Sequence, residues 1–110
     1  MRTFTKQETR ILRELASQAH RAELSGELAK LEGHFGRWRK GEIEPADLAN
    51  FVHEFHDGPN RDLYKLYNSA DLALVAARAI AFGLLEASAV PAELRSKLQP
   101  LVDYATESLR

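Results

Sequence analysis

Residues 5–41, TKQETRILRELASQAHRAELSGELAKLEGHFGRWRKG, decide how this chain folds. Thr5 and Glu8 have the spacing of a capping box, in which each side chain accepts from the other's free backbone N–H, so a helix opens near Lys6. Ile11, Leu12, Leu15, Ala19 and Ala22 continue it at helical spacing. A second stripe, Leu24, Leu28, Leu31, Phe35 and Trp38, then takes over on a roughly opposite face. The first face runs on in small residues only, as Gly26, Ala29, Gly33 and Gly36. Glycine inside a helix costs about 1 kcal/mol against alanine, so these glycines need a packing reason. Either the helix breaks at Ser25-Gly26, or one long helix packs on two sides. The long helix is favoured, with Ala19, Ala22, Gly26, Ala29, Gly33 and Gly36 as a surface for close approach and Trp38 in the core. Gly41 ends it, with Arg37, Arg39 and Lys40 near the end where the helix dipole favours cations.

The remaining chain also reads as helical. Pro45 suits a first-turn position, and Leu48, Phe51, Val52 and Phe55 give a buried stripe. Gly58-Pro59 predicts a stop, and Asn60 a cap for a short helix carrying Leu63, Tyr64, Leu66 and Tyr67. Ser69, with Asp71 in the first turn, predicts a fourth helix to about Ala89. Pro91 opens a fifth, which Pro100 kinks or splits. No alternating stretch is long enough for a strand. The expectation is an all-α protein, a compact bundle of four to six helices with a long N-terminal helix and a central apolar helix, forming a single domain over 1–110.

Composition narrows the function classes. Apolar residues make up 45% and charged residues 28%, which is ordinary for a globular domain. The absence of cysteine excludes disulfides, zinc ribbons and thiol nucleophiles. A net charge of -1 argues against a chain that attracts nucleic acid over its whole surface. Residues 1–6 carry no apolar signal region, and the most apolar run, Leu72 to Leu85, is too short to span a bilayer. A cytoplasmic location with no membrane association is expected.

That apolar run carries one charge, Arg78. A helix apolar on every side must be covered on every side. Leu74, Val75, Phe82 and Leu85 fall near Arg78 and are the interface candidates. If Arg78 reaches water, those four want a partner. If it is buried it needs a carboxylate, for which Asp57, Asp62 and Asp71 are the candidates.

The densest chemistry lies at residues 51–64, FVHEFHDGPNRDLY. His53, Glu54, His56, Asp57, Arg61 and Asp62 form a candidate polar cluster, with Arg61 expected to fold back toward Asp57 or Glu54. His53, His56 and Asp57 are the possible metal ligands, since imidazole and carboxylate suit zinc, iron or manganese. The spacing lacks the His-Glu-x-x-His pattern that would add a general base. A structural role for the histidines, and no cofactor, is the favoured expectation. Together with residues 38–43, WRKGEI, the block resembles small bacterial all-helical proteins of uncharacterised function over about residues 24–67. The resemblance implies a bacterial, cytoplasmic, helical protein and no activity.

Three functions follow. The leading one is a non-enzymatic interaction or regulatory protein acting through a helical surface, of an antitoxin-like or immunity-like kind, and forming a homodimer or binding another protein. The alternative is a small metal-dependent or phosphate-directed hydrolase using His53, His56, Asp57 and Arg61. The third is nucleic-acid binding through Arg37, Trp38, Arg39 and Lys40.

Overall fold

The structure is a computed structural model that describes residues 3–69 and 71–108. Met1 and Arg2 of the N-terminal segment, and the side chain of Ser69, lie outside what is described. The chain is all-α, with no strand among the described residues. Its order is α1 (Lys6–Arg39), α2 (Pro45–Phe55), a π turn (His56–Asn60), α3 (Arg61–Ser69), α4 (Leu72–Ala81), a short 3₁₀ turn (Ala87–Ala89) and α5 (Ala92–Ser108).

The first helix is unbroken through Ser25-Gly26. At its start the Thr5 hydroxyl accepts from the Glu8 N–H at 3.0 Å and Glu8 accepts from the Thr5 N–H at 2.9 Å. It ends in a Schellman motif. Gly41, at φ 76°, donates to the Trp38 carbonyl, and Glu42 donates to the Arg37 carbonyl. At 34 residues α1 is about 51 Å long. It sets the longest dimension of the molecule, which measures 54 × 26 × 23 Å. The radius of gyration, 17.2 Å, exceeds the roughly 13 Å of a compact chain this long. The body is therefore elongated rather than a compact bundle, because no other helix is long enough to cover α1. α4, backed by α5, packs against its N-terminal half, and α2 and α3 against its C-terminal half.

The main core lies at the N-terminal end. Leu12 and Leu15 of α1 meet Ala73, Ala76 and Ala77 of α4 and Leu94, Leu98 and Val102 of α5. The close approach that the sequence placed on the glycine stripe of α1 is made instead by α4, whose Ala76, Ala77 and Ala79 are fully buried. On α1 only Ala19 of the small stripe is buried, and a Cβ built at Gly26 or Gly33 would meet nothing within 4 Å. Trp38 is 42% exposed rather than a core residue, and Leu28 is 46% exposed. These side chains sit toward the thinner end of the molecule, where α2 and α3 bury little beyond Leu48 and Leu63.

Two helix boundaries differ from expectation. Gly58-Pro59 does not stop the second helix, because the backbone widens into a π turn and runs on into α3. Proline removes an N–H and crowds the preceding turn, and a local π turn re-routes those bonds without ending the helix. Asn60 is thus inside the helical run and not a cap. The fourth helix is capped two positions later, at Asp71 instead of Ser69, and ends far earlier. Asp71 is its N-cap, accepting from Ala73 N–H at 2.7 Å, and Gly83, at φ 74°, ends it well before Ala89. Gly83 donates to Ile80 and Leu84 to Ala79, a second Schellman motif. Pro100 sits within a single α5.

Replacing Gly83 by alanine forces a β-carbon into the left-handed region and should cost about 1–2 kcal/mol. Gly33→Ala, in open space with helical backbone, should stabilise by up to about 1 kcal/mol. Urea unfolding of the two variants checks both signs.

Candidate functional site

The polar centre of the molecule is a carboxylate on α1. Glu23 follows Leu12, Ala16 and Ala19 on the core-facing side of the helix, but beyond the apolar core. Arg78 of α4 donates to it twice, from Nη1 at 2.5 Å and from Nη2 at 3.1 Å. The Tyr67 hydroxyl of α3 donates to the same Glu23 oxygen at 2.5 Å. The Tyr67 ring stacks on His20 of α1 with centroids 4.7 Å apart, and the Arg78 guanidinium lies 4.4 Å from the centre of the Phe82 ring. Both charged side chains are largely covered, at 26% exposure for Arg78 and 17% for Glu23.

The titration behaviour follows this geometry. Burial pushes the Glu23 carboxyl up, but the hydrogen bonds from Arg78 and Tyr67 outweigh it and hold the group below its ordinary 4.5. Hydrogen bonding to Glu23 raises Arg78 against the opposing effect of burial. Burial, and then the bond to Glu23, push the Tyr67 hydroxyl up. At the start of α1, the Lys97 hydrogen bond at 2.6 Å is the main reason Glu8 is lowered.

Beside this centre runs an apolar groove of about 310 Å³ between α3, α4 and the end of α5. Leu66, Leu74, Val75, Phe82 and Ala105 wall it, and Arg78 is its only charged residue among the described residues. Leu74, Phe82 and Tyr104 are exposed, at 40%, 41% and 66%. Four of the residues singled out from the sequence, Leu74, Val75, Arg78 and Phe82, therefore line one groove. Val75 does so from a buried position, at 2% exposure. Leu85 packs against the core, since α4 ends before reaching it.

The acids expected to pair Arg78 do not. Asp71 is occupied as a helix cap, Asp57 pairs with His53, and Asp62 is exposed. Glu23 was the legible alternative, because it continues the series Leu12, Ala16 and Ala19 at steps of four, three and four.

The cluster at residues 53–62 is looser than its density suggests. His53 Nε2 lies 3.0 Å from Asp57 Oδ2, both well exposed, which is worth little in water. Among the described residues no ion pair joins Arg61 to Asp57 or Glu54, and His56 takes no part in the pair. Nor, among them, do three histidine, aspartate or glutamate side chains gather closely enough to hold a metal. His53, His56 and Asp57 are all exposed. The other histidine nearby, His34, stacks on Phe51 with centroids 3.6 Å apart.

Arg37, Trp38, Arg39 and Lys40 are consecutive and splay around the end of α1 rather than sharing a face, and Arg37 lies 3.7 Å from Glu42. Among the described residues no helix is long and apolar enough to cross a membrane. Comparison of the chain with protein-family models, curated proteins and solved structures finds no match.

Glu23→Gln should cost about 2 kcal/mol at pH 7, as for a covered hydrogen bond between charged groups. Because the folded-state pKa of Glu23 is lowered, its contribution is complete above the ordinary value of 4.5 and is lost as pH falls through the folded-state value. The wild-type protein should therefore lose stability below about pH 4.5 more steeply than Glu23→Gln, as measured by denaturant midpoints across an acid series.

Proposed function

We propose that this chain is a non-enzymatic interaction protein that works through the groove between α3, α4 and α5, with a second copy of itself as the occupant. One observation carries the reading: the groove is apolar and, among the described residues, the one charge that lines it, Arg78, is already paired with Glu23. Covering it with another protein surface therefore leaves no uncompensated buried charge, the usual penalty when a cation is taken out of water. Exposed aromatic residues beside an arginine are the composition of interface centres.

The occupant is argued from the groove's own lining. Phe82 and Tyr104 line the cleft and yet are exposed, so one surface carries both an apolar hollow and accessible aromatic rings. A two-fold pair needs a patch of that self-complementary kind. A stable pair of this type buries about 1,200–2,000 Å² in total.

Light scattering should give twice the chain mass of 12.4 kDa for the wild-type protein. Phe82→Glu, which places a charge on the exposed rim, should give the single-chain mass with unchanged helical circular dichroism. A wild-type protein that stays at 12.4 kDa at high loading would rule out the second copy as occupant.

A further inference from the structure

Along α1, Lys6, Arg10, Arg13, Ser17 and His20 follow one another at steps of four, three, four and three residues, which sets them on one face. Lys6, Arg10 and Arg13 are exposed, and among the described residues none of the three is paired with a carboxylate. Two cations nearby are held, Lys97 by Glu8 and Arg78 by Glu23. The ridge therefore presents a row of free positive charge spanning about 10 Å of helix from Lys6 to Arg13.

Crevices lie on both sides of Arg13. One, of about 390 Å³, is bounded by Phe4, Lys6, Thr9, Arg10 and Arg13. The other, of about 360 Å³, is bounded by Arg13, Ser17, His20, Tyr67 and Asn68, among others. Each crevice has an aromatic wall, Phe4 in the first and the stacked His20 and Tyr67 rings in the second. Each also offers small polar groups, Thr9 in one and Ser17 and Asn68 in the other.

We infer that this face binds single-stranded nucleic acid, with phosphates along Lys6, Arg10 and Arg13 and bases against the aromatic walls. A row of cations tracking a backbone, with aromatic surfaces for bases and hydroxyl or amide groups for sugar-phosphate oxygens, is how sequence-tolerant strand binding is built. An acidic polypeptide would use the cations but not the aromatic walls. An acidic stretch lies away from this ridge, toward the other end of the molecule. Residues 41–60 hold Glu42, Glu44, Asp47, Glu54 and Asp57 and no lysine or arginine. The site is separate from the dimer groove and from Arg37, Arg39 and Lys40.

The test is fluorescence anisotropy of labelled deoxythymidine and uridine 20-mers across a salt series, with the full chain. Binding should weaken with salt with a log–log slope of about −2, the single-strand value for three phosphate contacts. The combined Lys6→Gln, Arg10→Gln and Arg13→Gln variant should bind about tenfold or more weakly, with a flatter salt slope. The combined Arg37→Gln, Arg39→Gln and Lys40→Gln variant should bind as the wild type does. Circular dichroism of the variants confirms that the helices remain. Comparing the two oligonucleotides assigns DNA or RNA. Three results would each overturn the inference: no anisotropy change up to about 100 µM protein at low salt, full binding by the ridge variant, or displacement of the oligonucleotide by polyglutamate as readily as by unlabelled strand. The last would make an acidic protein segment the occupant.

Discussion

A single carboxylate ties this molecule together across three helices. Glu23 comes from α1, Tyr67 from α3 and Arg78 from α4, and each of the last two donates to it. Without that junction the N-terminal half, built on leucine and alanine packing, would touch the C-terminal half mainly through the rod of α1. With it, α3 is pinned beside α4, and their junction becomes one wall of the groove. Glu23 and Arg78 are costly to bury alone and tolerable together, so the geometry of the pair also fixes how far apart the helices stand.

The two ends are stabilised by different means. Toward the N-terminus, alanines on α4 admit α1 on one side and α5 on the other, and the core there is built of buried leucine, valine and alanine. Toward the C-terminus of α1, partly buried aromatics such as Phe51 and Phe55 lie against a helix whose opposite face of glycine and alanine is open. That asymmetry places the apolar groove near the tight end and leaves Leu28 and Trp38 accessible at the loose end.

Much of the fold could be read from residues whose effect is local. The capping pair Thr5 and Glu8, the terminator Gly41 and the apolar spacing between them specify α1 without reference to the rest of the chain. Reading failed where a local signal had two outcomes. Gly58-Pro59 ends most helices, but a π turn absorbs it here. Gly83 ends α4, although the apolar run continues past it to Leu85, and hydropathy masked the glycine. That Leu74, Arg78 and Phe82 line one groove was legible because they recur every four residues along one run. The partner of Arg78 is contributed from 55 residues away, a pairing that no spacing within α4 could specify. The glycines on α1 pointed to a close approach that is not made there, and alanines on α4 supply the small face that is used.

Because the π turn carries the chain through Pro59 without a break, residues 45–69 form one continuous helical strut of about 37 Å. Its outer end is the acidic face of α2, and its inner end carries Tyr67, seated on Glu23. A break at Gly58-Pro59 would have let the two ends move independently. A continuous strut instead holds them in one fixed relation, so that where α2 lies along α1 and where the Tyr67 hydroxyl meets Glu23 are set together.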